Sequence, residues 1–290
     1  MIYQIENEYL KVSAETLGAQ LAQICGKDGT SYLWEGKQPV WQDRAPILFP
    51  YVARLTNGTY TYNGKPYSMT IHGFAAHMEF ACEQVSACEM RFHLESSAET
   101  LAQYPFAFHF TVGYRLEGNK LVQTYTVENR NDTIMYFGLG AHPGFNVPLE
   151  QGLSFDDYQL EFDSAANPIR IGFTETCFLN GNDLPFAIGN GILPLRHDMF
   201  DDDAIVLTNS GSSVTLRSPN GTHSVRAEYP DAPYIGFWHR PKTDAPYICI
   251  EPWYSLPSRQ DVVEALETQP SLLSVEAGKT MQTDICFFFD

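Results

Sequence analysis

The sequence has few charged residues, few basic residues and no long apolar run, and each shortage argues against a class of protein. Charged residues make up 18% of the chain, and 18 lysines and arginines face 35 aspartates and glutamates. The net charge of −17 repels phosphate backbones and anionic lipid, so we expect neither a nucleic-acid nor a membrane partner. No window approaches the roughly 20 apolar residues of a membrane span, and no secretory signal opens the chain. We therefore expect a cytoplasmic protein.

Paired cysteines and several familiar catalytic motifs are also missing. The 6 cysteines are scattered without a Cys-x-x-Cys pair, which argues against a zinc ribbon or a disulfide framework and predicts reduced thiols. The sequence contains no glycine-rich phosphate loop, no Gly-x-Ser-x-Gly elbow and no His-Glu-x-x-His motif. Nucleotide-dependent enzymes, serine hydrolases and zinc proteases therefore lose support.

The residues that are abundant favour β-structure. Aromatic residues make up 13% of the chain, which also contains 21 glycines and 18 prolines, a composition typical of strands joined by turns. No linker, fixed-period repeat or break in composition divides the sequence, so we predict a single domain over residues 1–290. Many strands in one chain of this length imply a large sandwich of packed sheets.

Local patterns predict several elements. Asn63-Gly64 and Gly118-Asn119 each join two strand-like segments, which predicts hairpins over residues 60–67 and over residues 106–116 with 121–128. Short helices are expected at residues 97–104 and 261–267. The apolar run Tyr-Ile-Cys-Ile at residues 247–250 predicts a buried strand, whose pairing should stop at Pro252 because proline cannot donate to a ladder.

Four polar residues stand at the ends of apolar segments. Glu251 lies between such a strand, a proline and a tryptophan, where desolvation would raise its pKa toward that of a general base; a strand-end glutamate paired with an arginine is the alternative. Arg54 ends the apolar segment at residues 45–55 and needs either a salt bridge or a polar ligand. His72 beside a glycine, and His142 before Pro-Gly, are histidines that loops would display, although His142 also fits a satisfied core histidine.

Five short motifs occur in a fixed order through most of the chain, at Leu48 to Arg54, His72 to Phe74, Tyr104 to Phe106, His142 to Phe145 and Ile250 to Trp253. They read Leu-Phe-Pro-x-Val-x-Arg, His-Gly-Phe, Tyr-Pro-Phe, His-Pro-Gly-Phe and Ile-Glu-Pro-Trp. With these motifs the sequence resembles the aldose 1-epimerases, or mutarotases, and among them the bacterial branch.

The resemblance implies an all-β fold, a β-supersandwich of the galactose-mutarotase type that is mainly antiparallel with few short helices. It implies free sugars as substrates and neither a metal nor an organic cofactor. We expect a monomer or homodimer. By motif match Glu251 would be the general base and His142 the general acid of the ring-opening reaction. The sugar oxygens would be bound by Arg54, His72 and Asp203. The apolar face of the sugar would lie on Trp238 and Phe74.

Some of these assignments leave alternatives open. Asp203 is matched through Asp-Ala-Ile-Val, but it ends a run of three aspartates, so the register is open by one or two residues. Trp238 and Phe74 are chosen from residue type more than from motif. Three other functions remain possible, namely a hexose-6-phosphate 1-epimerase, a non-catalytic carbohydrate-binding protein, and a glycoside hydrolase that uses Glu251 with Asp203.

Overall fold

The computed structural model describes residues 1–164 and 167–290, and most of its regular structure is antiparallel strand. The strands, numbered in chain order, are β1 (Ile2–Glu6), β2 (Leu10–Glu15), β3 (Leu21–Gly26), β4 (Ile47–Leu48), β5 (Thr59–Tyr62), β6 (Lys65–Ser68), β7 (Ala81–Ser86), β8 (Glu89–Glu95), β9 (Phe108–Glu117), β10 (Lys120–Asn129), β11 (Met135–Phe137), β12 (Gly140–Ala141), β13 (Gly144–Asn146), β14 (Gln159–Phe162), β15 (Ile169–Arg170), β16 (Leu184–Pro185), β17 (Ile192–Pro194), β18 (Ile205–Thr208), β19 (Ser213–Arg217), β20 (Ser224–Glu228), β21 (Tyr234–Trp238), β22 (Tyr247–Trp253), β23 (Leu273–Val275) and β24 (Thr280–Phe289).

Helix is scarce in the part of the chain that the structure describes. The α-helix α1 (Ala98–Gln103) begins with a capping box between Ser97 and Thr100. Short 3-10 helices cover Thr56–Gly58, Ala75–His77, Phe155–Asp157, His197–Phe200 and Leu266–Thr268. Among the described residues, no helix is long and apolar enough to cross a membrane. The predicted all-β, mainly antiparallel class with few short helices is confirmed.

Two large sheets form the body of the protein. One has nine strands in the order β17-β14-β19-β20-β24-β10-β9-β8-β7. The other has eight, with β16-β15-β18-β21-β22-β12-β4 in line and β13 paired to β22. There are three smaller sheets, namely β1-β2-β3, β5-β6 and β11-β23.

The two large sheets pack through aromatic side chains on their inner faces. Phe145 on β13 lies 5.5 Å from Phe287 on β24, measured between ring centroids, and Phe162 on β14 lies 5.8 Å from Phe237 on β21. Burial along β9 alternates between buried and less buried residues, as expected for a sheet with one face on the core. Every residue of β22 is buried instead, so this strand is covered on both faces.

Most of the predicted elements are present. The hairpins β5–β6 and β9–β10 form with the expected turns, and α1 lies within the predicted helix at residues 97–104. The predicted helix at residues 261–267 is wrong, since that stretch is a turn residue, an irregular segment and a single bridge before the 3-10 residues at its end.

Pairing of β22 was predicted to stop at Pro252, but it continues to Trp253. Pro252 faces Ile235 of β21 in the ladder. On the other side of β22, pairing with β13 ends at Cys249 and pairing with β12 occurs at Trp253. The proline therefore lies where that ladder is interrupted, and its missing N–H group costs no ladder hydrogen bond.

Candidate functional site

A cavity of about 250 Å³, open to solvent on one side, lies against the eight-stranded sheet. Its volume is near the lower end of the range of small-molecule sites. Six of the seven residues that the sequence singled out line it, although they come from distant parts of the chain. These six are Arg54, His72, His142, Asp203, Trp238 and Glu251.

Glu251 lies deepest among these polar groups, at 1% exposure on the fully buried strand β22. Oε2 accepts a hydrogen bond of 3.1 Å from Nε1 of Trp253, whereas Oε1 is buried with no partner among the described residues. Gly236 lies opposite Glu251 on β21, where a Cβ atom would approach the glutamate Cβ to 3.3 Å. Burial raises the pKa of Glu251 well above its ordinary value because the charged form loses its hydration.

His142 is the direct partner of that carboxylate. Its Nε2 lies 3.3 Å from Oε2 of Glu251, and its Nδ1 is buried without a partner in the described structure. The imidazole packs between two tryptophans, with ring centroids 5.2 Å from Trp41 and 5.6 Å from Trp238. Burial lowers the pKa of His142 to about 4. The arginine-paired alternative for Glu251 is therefore wrong, since its partners are a histidine and a tryptophan.

The short segment after His142 explains how its ring is held. β12 ends at Ala141, and the Pro143-Gly144 turn leads directly into β13, which pairs with β22. A Cβ atom on Gly144 would lie 2.9 Å from the ring of Trp41. Glycine at this position therefore lets Trp41 lie flat against the turn and beside the imidazole.

The short distance between His142 and Glu251 allows one proton to bridge the two side chains. Burial acts on them in opposite directions, since it favours the protonated carboxyl and the neutral imidazole. A pair with both groups neutral has as many protons as a pair of carboxylate and imidazolium. Moving a single proton across 3.3 Å therefore converts the resting form into one that has a base and an acid side by side.

His72 is held in a strained backbone conformation by hydrogen bonds to the neighbouring loop. Its φ is 63°, a left-handed value that is uncommon for a residue with a side chain. Its N–H group donates to the carbonyl of Ala53 at 2.9 Å, and the N–H group of Ala53 donates back to Nδ1 of the ring at 3.2 Å. Because Nδ1 accepts this bond, the ring proton of neutral His72 sits on Nε2, where it can donate to a ligand oxygen. Burial, and then the proximity of His142 and Arg54, hold its pKa well below the ordinary value.

Arg54 follows Ala53 in the same loop and supplies the permanent positive charge of the cavity. Its side chain is exposed on the cavity wall. No carboxylate forms an ion pair with it within the described residues, although it lies near the thiol of Cys177. The salt-bridge alternative for Arg54 is therefore wrong, and its guanidinium is available to a ligand.

Asp203 lies just before β18, and both of its carboxylate oxygens accept a hydrogen bond. Its Oδ2 accepts a hydrogen bond of 2.9 Å from the thiol of Cys177, and its Oδ1 accepts one of 2.9 Å from the N–H group of Ala204. Both residues of the Asp203–Cys177 contact have left-handed backbones, with φ values of 77° and 63°. Strain of this kind persists where surrounding contacts fix a side chain in place. Asp202 lines the cavity as well.

Phe74 does not reach the cavity, so its assignment to the sugar face is wrong. Its side chain is 3% exposed and packs in the core against Phe49, Tyr104 and Phe108. Gly73 turns the chain at φ 77°, and the N–H group of Phe74 then donates to the carbonyl of Phe49 at 3.1 Å. In the His-Gly-Phe motif the histidine faces the cavity and the phenylalanine anchors the loop.

The cavity residues that were not predicted from the sequence include Trp41, Asp43, Cys177 and Trp253. Trp41 and Trp238 provide the aromatic surface, with their rings 5.4 Å apart and nearly perpendicular. Trp253 closes the Ile-Glu-Pro-Trp motif, and alternation along β22 places it on the same face as Glu251, which was a usable signal. Cys177 and Asp43 lie in segments without regular structure, where no pattern marked them.

Comparison with known proteins agrees with the architecture. Residues 1–268 match the family model described as aldose 1-epimerase. The chain is 35% identical over 285 residues to the chromosomal LacX protein of Lactococcus lactis subsp. lactis, covering 95% of both chains.

Two solved structures are similar over nearly their whole length. A galactose mutarotase related enzyme from Lactobacillus acidophilus superposes with a TM-score of 0.95 at 33% identity, covering 100% of this chain and 97% of the other. A galactose mutarotase-like protein from Lactobacillus casei ATCC 334 gives a TM-score of 0.95 at 32% identity, with 100% of both chains covered. The predicted β-supersandwich is therefore confirmed, and the chain belongs to the aldose 1-epimerase family.

Proposed function

We propose that the protein is an aldose 1-epimerase that interconverts the α and β anomers of a free aldose, with Glu251 as general base and His142 as general acid. The observation that supports this most directly is the buried contact of 3.3 Å between these two side chains, inside a cavity lined with hydroxyl-binding groups. Positioned acid and base groups contribute about 10²- to 10⁴-fold to a rate. Because sugars already mutarotate slowly in water, this contribution is sufficient.

The reaction needs two proton movements. Glu251 takes the proton of the C1 hydroxyl while His142 protonates the ring oxygen, so the C1–O5 bond breaks and an open-chain aldehyde forms without a build-up of charge. Rotation about C1–C2 presents the other face of the aldehyde. Closure then returns each proton by the reverse route, which restores the pair and leaves the opposite anomer.

The other lining groups match a neutral sugar. The Nε2–H group of His72 and the guanidinium of Arg54 are donors, and Asp203 accepts hydroxyl protons. The faces of Trp41 and Trp238 offer the apolar surface on which the C–H groups of a pyranose pack. We propose that these five residues bind the substrate.

The charge of the cavity favours a free sugar over a hexose 6-phosphate. Arg54 is the one permanent cation among its described lining residues, and His72 and His142 are neutral at physiological pH because burial lowers the pKa of each. Three aspartates line the same cavity, at positions 43, 202 and 203. A phosphate dianion prefers a cluster of cations, so the acidic lining disfavours the phosphorylated substrate.

Polarimetry of freshly dissolved α-glucose and α-galactose tests the proposal. We expect faster relaxation with protein, and losses of about 10²- to 10⁴-fold in Glu251→Gln and His142→Asn. Glu83→Gln, an exposed change on β7, is the matched control and should relax like the wild type. If both sugars relax at the uncatalysed rate at micromolar protein, the protein is not an epimerase for them. A sugar that then still binds by calorimetry would indicate a carbohydrate-binding protein, and release of sugar from an aryl glycoside would indicate a hydrolase.

A further inference from the structure

A thiol lies beside the proton-sharing pair, although the proposed reaction does not use it. Cys249 precedes Glu251 by two residues on β22, so alternation along the strand places both side chains on the same face. The donor atoms of Cys249, His142 and Glu251 all lie within 4.8 Å of one another. The thiol is fully buried and donates no hydrogen bond to any described residue.

Thiolate, imidazole and carboxylate together are a typical ligand set for zinc. Zinc binds such groups at about 2.0 to 2.3 Å in a tetrahedron, which places neighbouring ligand atoms about 3.3 to 3.6 Å apart. Nε2 of His142 and Oε2 of Glu251 are already separated by 3.3 Å. All three donor atoms lie within 4.8 Å of one another, so the sulfur needs to move by at most about 1.2 Å to complete three corners of a tetrahedron.

Two further features favour a bound cation at this position. Oε1 of Glu251 is buried without a partner among the described residues, so the carboxylate has an unsatisfied oxygen that a cation can bind. One thiolate and one carboxylate balance the charge of a divalent ion. Glu251 and His142 also line the open cavity, which gives the ion a route of entry.

We propose that His142 Nε2, Cys249 Sγ and the Glu251 carboxylate form a Zn²⁺ site whose occupation excludes the shared proton. The site is inhibitory, because a metal bound to Glu251 and His142 removes the base and the acid together. This inhibition rests on the proposed epimerase function, whereas the binding of zinc does not. Zinc takes the place of the bridging proton and of the thiol proton, so two protons pass to solvent for each ion bound. Mg²⁺, which prefers oxygen ligands, binds far less tightly.

Cobalt binding tests the site without any reference to activity. The full-length wild-type protein titrated with Co²⁺ should show the thiolate-to-cobalt charge-transfer band and the intense visible bands of a tetrahedral ion. Zn²⁺ should displace the cobalt, and Mg²⁺ should not. Cys249→Ser and Cys249→Ala should lose the charge-transfer band, and a matched change at another thiol, Cys25→Ser, should keep it. Absence of the band in the wild type overturns the proposal.

Zinc inhibition gives the second readout, with each variant compared with its own metal-free rate. We expect Cys249→Ser to weaken inhibition at least about 100-fold, since even outer-shell changes cost about 10- to 100-fold in metal affinity, and a chelator to restore the rate. The neighbouring thiol of Cys177 beside Asp203 is the competing ligand. If Cys177→Ser abolishes inhibition and both Cys249 variants keep it, the proposed site is wrong. A protein that binds Co²⁺ as described but has no epimerase activity refutes the proposed function and leaves the metal site standing.

Discussion

Replacing Glu251 by glutamine should stabilise the folded protein at neutral pH, by an amount that grows with pH. The side chain is 1% exposed, and burial raises its pKa well above the ordinary value of 4.5. Above that value the unfolded chain releases the proton while the folded protein keeps it. Wild-type stability therefore falls as pH rises, until the raised pKa of the folded state is reached. Glutamine has the same shape and no proton to lose, so the variant escapes this loss.

The size of the effect follows from linkage. One proton that is held in the folded state and lost in the unfolded state changes the free energy of unfolding by about 1.4 kcal/mol per pH unit. The difference between variant and wild type should therefore increase by about 1.4 kcal/mol per pH unit above about pH 5, until the raised pKa of the folded state is reached. Urea unfolding of both proteins across this range measures the difference curve. Other titrating groups contribute to both proteins and largely cancel.

Glu264 provides a matched control of opposite sign. It is equally buried, at 4% exposure, but its carboxylate accepts hydrogen bonds from Arg259, which hold its pKa below the ordinary value. Its ion pair therefore stabilises the fold above the unfolded-state pKa and is lost as pH falls. Glu264→Gln should be less stable than the wild type at neutral pH, with a difference that shrinks in acid. If the Glu251→Gln curve is flat instead, the His142–Glu251 pair has no shared proton and the proposed resting state is wrong.

Three further predictions concern the pair and the loop beside it. Trp253→Phe removes the donor to Oε2 of Glu251. Because a hydrogen bond to a charged group contributes about 1.5 to 3 kcal/mol, this change should lower kcat by about tenfold with little change in KM. An unchanged kcat would contradict that role. The rate should fall below about pH 4, where His142 gains a proton, and again at alkaline pH when the pair loses its shared proton; a profile without the acid limb would contradict this assignment. Gly73→Ala would bring a Cβ atom to 2.3 Å from the carbonyl oxygen of Phe49 at a φ of 77°. We therefore expect the free energy of unfolding, measured in urea, to fall by about 2 kcal/mol or more. Wild-type stability would refute the strain argument.

Local chemistry explains why so many elements were predictable. Asn63-Gly64 and Gly118-Asn119 suit tight turns with left-handed residues, and the structure has positive φ values at Asn63, Gly64 and Gly118. Predictions from patterns without such turn residues were less reliable. Residues 261–267 have the spacing of a short helix, but the N–H group of Thr61 donates to the carbonyl of Glu264 at 2.8 Å. Long-range pairing of this kind overrides a weak local preference.

The candidate site likewise contains residues that sequence motifs marked and residues that no pattern marked. Motifs marked Glu251, His142 and His72, each of which is followed directly by a proline or a glycine. Cys177 has no such neighbours, and only the folded chain brings its thiol to the carboxylate of Asp203, 26 residues away. The sequence also gave no means of telling which face of the loop after His72 points outward, so Phe74 was assigned to the cavity although it belongs to the core.

The position of Glu251 in β22 explains how a costly arrangement persists. A carboxyl group on a strand buried on both faces costs stability at neutral pH, and a surface position would avoid that cost. The strand is nevertheless held by β21 on one side and by β12 and β13 on the other, so the carboxyl group cannot move toward water without breaking ladder hydrogen bonds. The same two neighbours, β12 and β13, flank His142. The sheet therefore fixes the acid and the base against each other, and the raised pKa of one and the lowered pKa of the other are consequences of a fold that keeps them from solvent.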